Sequence, residues 1–163
     1  MTKTALILGA SGKIGRHFTA ALRAAGWQTR AYTRGTDMNA AAQGCDVIVN
    51  GMNPPAYHDW ETILPAITRQ VIDAAKTSGA TILFPGNVYG FGTQPGPWSE
   101  DTPHKPCSRK GEIRAQIENG VPPGFTGKHN ISVRQASSMP LVAADECQAL
   151  LTKELAGNSI QFE

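Results

Sequence analysis

The residues best placed to do chemistry lie near the start of the chain, in Gly9-Ala-Ser-Gly12-Lys-Ile-Gly15-Arg16. The spacing is G-x-x-G-x-x-G. It follows the short apolar run Ala5-Leu-Ile-Leu8 and precedes residues with helical periodicity. Glycines so spaced between a strand and a helix suit one task, holding two linked phosphates against backbone. Gly9 permits the tight turn out of the strand. Gly12 has no side chain, so a pyrophosphate can approach. Gly15 lets the helix pack closely on the sheet. The unpaired N–H groups at the helix start, and the helix dipole, then face the anion. Gly9, Ser11, Gly12, Lys13, Ile14, Gly15 and Arg16 are the candidate cradle. A ligand-free strand–helix turn has the same glycines; the flanking strand and helix favour the cradle.

The second strand decides which dinucleotide fits. A carboxylate at its end would bind a ribose diol and favour NAD. Here the strand ends Tyr32-Thr33-Arg34, with no carboxylate before Asp37. Arg34 can instead pair bidentately with a 2′-phosphate, and Arg16 can contribute from the other side, which favours NADP(H) over NAD. Both arginines are also ordinary surface residues. The third strand runs into Asn50-Gly51, which would border the ribose and nicotinamide or simply turn the chain toward the next helix.

Other constellations are less specific. Asn87 and Tyr89 follow the fourth strand, where they could hydrogen-bond a substrate oxygen, and Tyr89 could equally be a packed aromatic. Tyr57, His58 and Asp59 could reach over a nicotinamide, although a His-Asp pair there is more often a helix start. His17, His104 and His129 lack ligand spacing, so no metal site is expected. Glu100-Asp101 reads as solvated. Arg109, Lys110 and Arg114 could hold an anionic substrate group or form a solvated helix face.

The elements that position these residues alternate. Ala5–Leu8 reads as a strand buried on both faces. Ile14, Phe18, Leu22 and Ala25 recur at helical spacing, with Gly26 at the helix end. Gln28 to Thr33, Asp46 to Asn50 and Thr81 to Phe84 read as further strands. Between the last two, Ile63, Ile67, Val71 and Ala75 share a stripe that ends at Gly79. The alternation implies right-handed crossovers and a parallel sheet. The glycines and prolines from Gly86 to Pro106 argue for a long loop without helix or central strand. Ser108 to Asn119 reads as a helix with Ser108 as N-cap. Ile131 to Val133 suggests a short strand, and Ala143 to Leu155 a last helix. The fold expected is α/β, a doubly wound parallel sheet of Rossmann type in a single domain without a full substrate domain. Residues 1–119 would form the dinucleotide-binding domain and 120–163 an irregular tail with a C-terminal helix.

Composition agrees. The chain has 163 residues, 40% of them hydrophobic and 17% charged, enough apolar content for one self-sufficient core. The net charge of +2 gives no reason to expect nucleic acid. No apolar run approaches a membrane span, and Ala5–Leu8 is too short for a signal core. Three widely spaced cysteines without C-x-x-C fit a reducing cytoplasm.

The glycine turn, the Asn50-Gly51 step and Gly86-Asn-Val-Tyr-Gly90 together resemble an NAD(P)-binding extended or atypical short-chain dehydrogenase/reductase, of the NAD-dependent epimerase/dehydratase group. The similarity covers roughly residues 3–118. It implies a Rossmann domain, NAD(P), a small-molecule substrate such as a nucleotide sugar or small carbonyl compound, and leaves a homodimer open. The family's catalytic Ser or Thr precedes the Val-Tyr-Gly segment, where this chain has Pro85, Gly86 and Asn87. Its Tyr and, four residues later, Lys fall at Lys110 and Arg114. A guanidinium is no base near neutral pH, so Asn87, Tyr89 and Lys110 are the remaining candidates for orienting a substrate and handling its proton. A family member carries about another domain's worth of chain with the substrate pocket, so a shortened relative is expected. Two functions follow: an NADP(H)-dependent oxidoreductase or epimerase, or a non-catalytic NADP(H)-binding sensor or interaction module of the same fold.

Overall fold

A computed structural model describes residues 2–54, 58–96, 98, 102–120 and 131–135. The chain forms β1 (Thr4–Leu8), α1 (Lys13–Ala24), β2 (Gln28–Ala31), α2 (Met38–Ala42), β3 (Val47–Asn50), α3 (Trp60–Ser78), β4 (Thr81–Asn87), a 3₁₀ turn (Val88–Phe91), α4 (Arg109–Gly120) and β5 (Ile131–Gln135). The strands make one five-stranded sheet in the order β2-β1-β3-β4-β5, with every pair parallel. This is the doubly wound Rossmann-type architecture expected from the alternation.

The period-2 alternation of β1 divides the core in two. Ala5 and Ile7 face one side, where Phe18, Ala21 and Leu22 of α1 cover them together with Val47, Val49 and Leu83. Leu6 and Leu8 face the other, packing with Met38 of α2, Leu64 and Val71 of α3 and Ile113 and Ile117 of α4. Residues 5–8 are completely buried, so each large aliphatic there contributes about 1.5–3 kcal/mol of transfer free energy. The apolar run is continuous because helices cover both faces.

Helix ends follow local chemistry. Gly26 follows α1 at φ +80°, and its amide donates to the Arg23 carbonyl. Asp37 caps α2, its carboxylate accepting the Asn39 amide at 2.9 Å. Ser108 precedes α4, and its hydroxyl accepts the Gly111 amide at 3.2 Å.

Three expectations need correction, and one helix is added. Gly86 and Pro85 do not stop the fourth strand, because β4 runs on to Asn87 and then tightens into the 3₁₀ turn. Pro85 is tolerated because its missing N–H is one donor only; its carbonyl is still used, by Arg114. Helix α2 has no apolar stripe to betray it. The buried stripe of α3 is Trp60, Leu64, Thr68, Val71 and Ala75, which leaves Ile63 and Ile67 only half-buried. Finally, β5 extends two residues past Val133, paired with β4 from Leu83↔Ile131 to Asn87↔Gln135. Residues Tyr57, Glu100, Asp101 and His129 and the helix expected over 143–155 lie outside the described residues.

Candidate functional site

Strand order reverses between β1 and β3: the chain leaves β1 toward β2, then crosses back to build the other half of the sheet. In an open parallel sheet this switch point opens a crevice at the carboxyl ends of the strands. The glycine turn sits there. Gly9 leaves β1 with φ +72°, a left-handed conformation that suits glycine. Its carbonyl accepts the Gly12 amide at 2.9 Å, closing a tight turn. A Cβ on Gly15 would overlap the Gly9 carbonyl and the Ala10 backbone. Gly15 therefore lets the first turn of α1 fold back onto the exit from β1. Across the crevice, a Cβ on Gly9 would stand 2.8 Å from the Gly51 carbonyl oxygen.

The start of α1 fits a pyrophosphate. Gly12 is its N-cap in extended backbone, with no side-chain cap and no acidic residue in the first turn. The first-turn amides have no intrahelical acceptor, so an anion finds free donors and the positive end of the dipole. A Cβ on Gly12 would meet only the Gly9 carbonyl, at 3.2 Å. Ser11, Lys13 and Arg16 are exposed, Ile14 is half-buried and Gly15 buried.

Beyond β2 lies a cleft of about 600 Å³. Arg34, Thr36, Asp37 and Asn39 form its polar side; Met52, Ile63 and Ile67 supply an apolar side. Arg34 is exposed and lines the cleft, where a 2′-phosphate at the rim would find it. Arg16 is not among the lining residues. Asp37, the carboxylate nearest β2, lines the same cleft but already holds the α2 amide of Asn39. Sequence reasoning missed most of this lining, because Met52 and Ile63 come from distant segments and carry no motif. The one available signal was Asp37 as a helix cap.

Asn50 is only 4% exposed, and its Oδ1 accepts the Met52 amide at 3.3 Å. It shapes the turn at the end of β3 and supports Gly51, which is half-buried beside Gly9.

The residues considered for the proton step lie on two segments, the end of β4 with its 3₁₀ turn and the start of α4. Asn87 is the last residue of β4 and Tyr89 the second of the 3₁₀ turn, half-buried against the core. Lys110 is exposed on the first turn of α4. Gly111 packs directly on the Tyr89 carbonyl, so the two segments touch through backbone.

The basic cluster expected on α4 is divided, and its solvated-face reading fails at Arg114. Arg109 pairs with Glu61 of α3 at 2.5 Å and with Glu112 at 2.9 Å, all at the surface. That pairing holds Glu61 below the usual carboxylate range. Arg114 is 7% exposed. It donates to the Pro85 carbonyl, lies 4.6 Å over the Phe84 ring and stands 3.5 Å from Glu118, which in turn stands 3.5 Å from His104. Burial pulls Arg114 below the ordinary guanidinium range, against the opposing pull of Glu118. The cation at this position ties α4 to the end of β4, a use that only the fold reveals. His58 and Asp59 are exposed, and Asp59 opens α3 at φ +43° without a side-chain cap bond. Among the described residues no cluster of His, Cys, Asp or Glu could hold a metal ion, and no helix is long and apolar enough to cross a membrane.

No protein-family model matches the sequence, and no curated protein does. Solved structures do. The chain is similar to a dTDP-4-dehydrorhamnose reductase from Bacillus anthracis in complex with NADP, with TM-score 0.65, 17% identity, and coverage of 83% of this chain and 54% of that one. It is similar to a short-chain dehydrogenase/reductase superfamily protein from Agrobacterium tumefaciens with bound NAD, with TM-score 0.58, 24% identity, and coverage of 72% and 44%. It is also similar to MoeE5 in complex with UDP-glucose and NAD, with TM-score 0.60, 16% identity, and coverage of 82% and 52%. The chain spans about half the length of these structures. Its fold is therefore the Rossmann-type fold that these structures share.

Proposed function

We propose that the chain binds a nicotinamide dinucleotide, NADP(H) in preference to NAD(H), and serves an oxidoreductase or epimerase that acts on a nucleotide sugar or small carbonyl compound. The observation that carries this reading is the glycine turn at the switch point, closed by Gly9 against Gly51 and opening onto uncapped amides of α1. The dinucleotides bound to the similar structures support the cofactor class, and the nucleotide sugars that two of those proteins bind or are named for support the substrate class.

Each part of the chain would have its own task. The first-turn amides of α1 hold the pyrophosphate, and Lys13 and Arg16 add positive charge nearby. Arg34 pairs with the 2′-phosphate at the cleft rim. Asn50 and Gly51 keep the crevice open beside the ribose. The nicotinamide ring, when bound, supplies the hydride chemistry. Tyr89 and Asn87, at the end of β4, hydrogen-bond a substrate oxygen, and Tyr89 exchanges its phenolic proton there. Lys110 offers a cation to an anionic substrate group. NADPH fluorescence should blue-shift on binding, and NADPH should be consumed with at least one member of a panel of aldehydes, ketones and nucleotide sugars.

One observation favours a second reading, a non-catalytic NADP(H)-binding module. Arg114, at the family's lysine place, is committed to the Pro85 carbonyl and the Glu118 pair. Binding without turnover of any panel member is the outcome that selects it.

A further inference from the structure

At the carboxyl end of β4, Phe91 and Gln94 hold one indole in place, and Pro103 and Lys105 bond back to Gln94 and Gly90. We propose that Trp98 is a stacking platform for one ring of the substrate, the planar base or the apolar C–H face of the hexose of a nucleotide sugar. The proposal rests on the substrate class argued above.

Trp98 is the exposed large hydrophobic side chain among the described residues, at 36%. A loose exposed tryptophan would mean little. This one is fixed. Its ring stacks on Phe91 with centroids 5.2 Å apart and planes 12° from parallel. Its Nε1 donates to the Gln94 carbonyl at 3.2 Å. Gln94 in turn donates through Nε2 to the Phe91 carbonyl at 3.0 Å and the Pro103 carbonyl at 2.9 Å, stitching the two ends of the loop together. The Lys105 amide donates to the Gly90 carbonyl at 2.8 Å. Phe91, itself 2% exposed, is flanked by the His104 ring at 5.7 Å.

Two consequences follow. The polar atom of the indole is already satisfied by protein, so what Trp98 offers a ligand is carbon surface. The ring is also pre-ordered, so a partner stacking on it gains contact with little further loss of side-chain freedom. Position supplies the rest. The 3₁₀ turn continues β4, which runs parallel to β1 two strands away, so Phe91 and the indole stacked on it follow the same end of the sheet as the glycine turn. That is the same carboxyl edge where the crevice opens. A base and a pyranose face share the needed chemistry, an apolar plane that desolvates against an aromatic one.

The test is calorimetry of UDP-glucose, UDP and methyl glucoside on the NADPH-loaded chain, for the wild type, Trp98→Ala and Trp98→Phe. UDP-glucose should bind about tenfold more weakly to Trp98→Ala, the order of one stacked ring lost, while Trp98→Phe stays within about threefold. NADPH affinity should stay the same in all three, which also reports that they fold. If the base stacks, UDP alone shows the same loss; if the hexose stacks, only UDP-glucose does. Unchanged UDP-glucose affinity in Trp98→Ala overturns the proposal, as does failure of all three probes to bind wild type that binds NADPH. If wild type does not bind NADPH, the cofactor reading falls by itself, and UDP-glucose titrated onto the cofactor-free proteins then decides Trp98 by the same comparison.

Discussion

Gly9 and Gly51 meet backbone to backbone across the switch point of the sheet. A Cβ on Gly9 would stand 2.8 Å from the Gly51 carbonyl oxygen, and a Cβ on Gly51 would stand 2.8 Å from the Leu8 carbonyl oxygen. Neither neighbour is a flexible side-chain tip; both are backbone, Leu8 the last residue of β1 and Gly51 the residue after β3. The turn after β1 and the end of β3 are thus mutually dependent, and the cradle is a two-strand construction.

Gly51→Ala should therefore cost about 1–3 kcal/mol by overpacking and weaken NADPH binding at least tenfold. Gly26→Ala is the control. Gly26 also has positive φ, +80°, but nothing lies within 4 Å of its would-be Cβ. Its substitution should cost about 1–2 kcal/mol and leave binding unchanged. Denaturant unfolding with calorimetry separates the two; equal NADPH affinity in Gly51→Ala would remove that residue from the site.

Arg34→Asp tests cofactor choice. NADPH affinity should drop tenfold or more while NADH affinity changes little, because only the 2′-phosphate reaches this guanidinium. Asp37→Asn should leave NADH binding nearly intact, since the carboxylate is engaged with the Asn39 amide. Equal weakening of both cofactors by Arg34→Asp would sink the 2′-phosphate role.

Arg114 and Glu118 form a buried pair, their side chains 9% and 3% exposed. Removing either partner strands a charge, so Arg114→Met and Glu118→Gln should each destabilise by about 3–5 kcal/mol. The double variant should lose less than the sum of the two. Additive losses in denaturant melts would mean the two charges are not coupled.

How much of this was legible in the sequence differs by residue. The geometry of the glycine turn was, since Gly9, Gly12 and Gly15 are constrained by contacts within one strand–turn–helix unit, and such local geometry leaves a spacing pattern. β1 and β3 were too, because burial on both faces forces unbroken apolar runs such as Ala5–Leu8 and Val47–Val49. Arg114 was not. Its solvated-face reading came from its neighbours on α4, whereas its burial depends on Phe84 and Pro85 some thirty positions away. Nor was the continuation of β4 through Pro85 and Gly86, which β5 pairing sustains against local preference. The cleft lining is likewise assembled from separate segments.

The cysteines give a prediction on reactivity. Cys45 is buried, and burial pushes its thiol above the ordinary value; Cys107 is exposed. A maleimide should label Cys107 in the native protein and Cys45 only on unfolding, read by peptide mass. Because the folded thiol of Cys45 holds its proton more tightly than the unfolded one, its contribution is complete below the unfolded thiol pKa of about 8.5 and declines as pH rises through the folded value. Native labelling of Cys45 at the rate of Cys107 would contradict its placement under α2.

The central claim is that the turn from β1 into α1 holds a nicotinamide dinucleotide. Isothermal titration of the folded wild-type chain with NADPH and with NADH tests it most directly. Saturable binding near one equivalent, tighter for NADPH and weakened at least tenfold in Gly51→Ala, is the result expected. A cooperatively folded chain that gives no saturable heat with either coenzyme would contradict it.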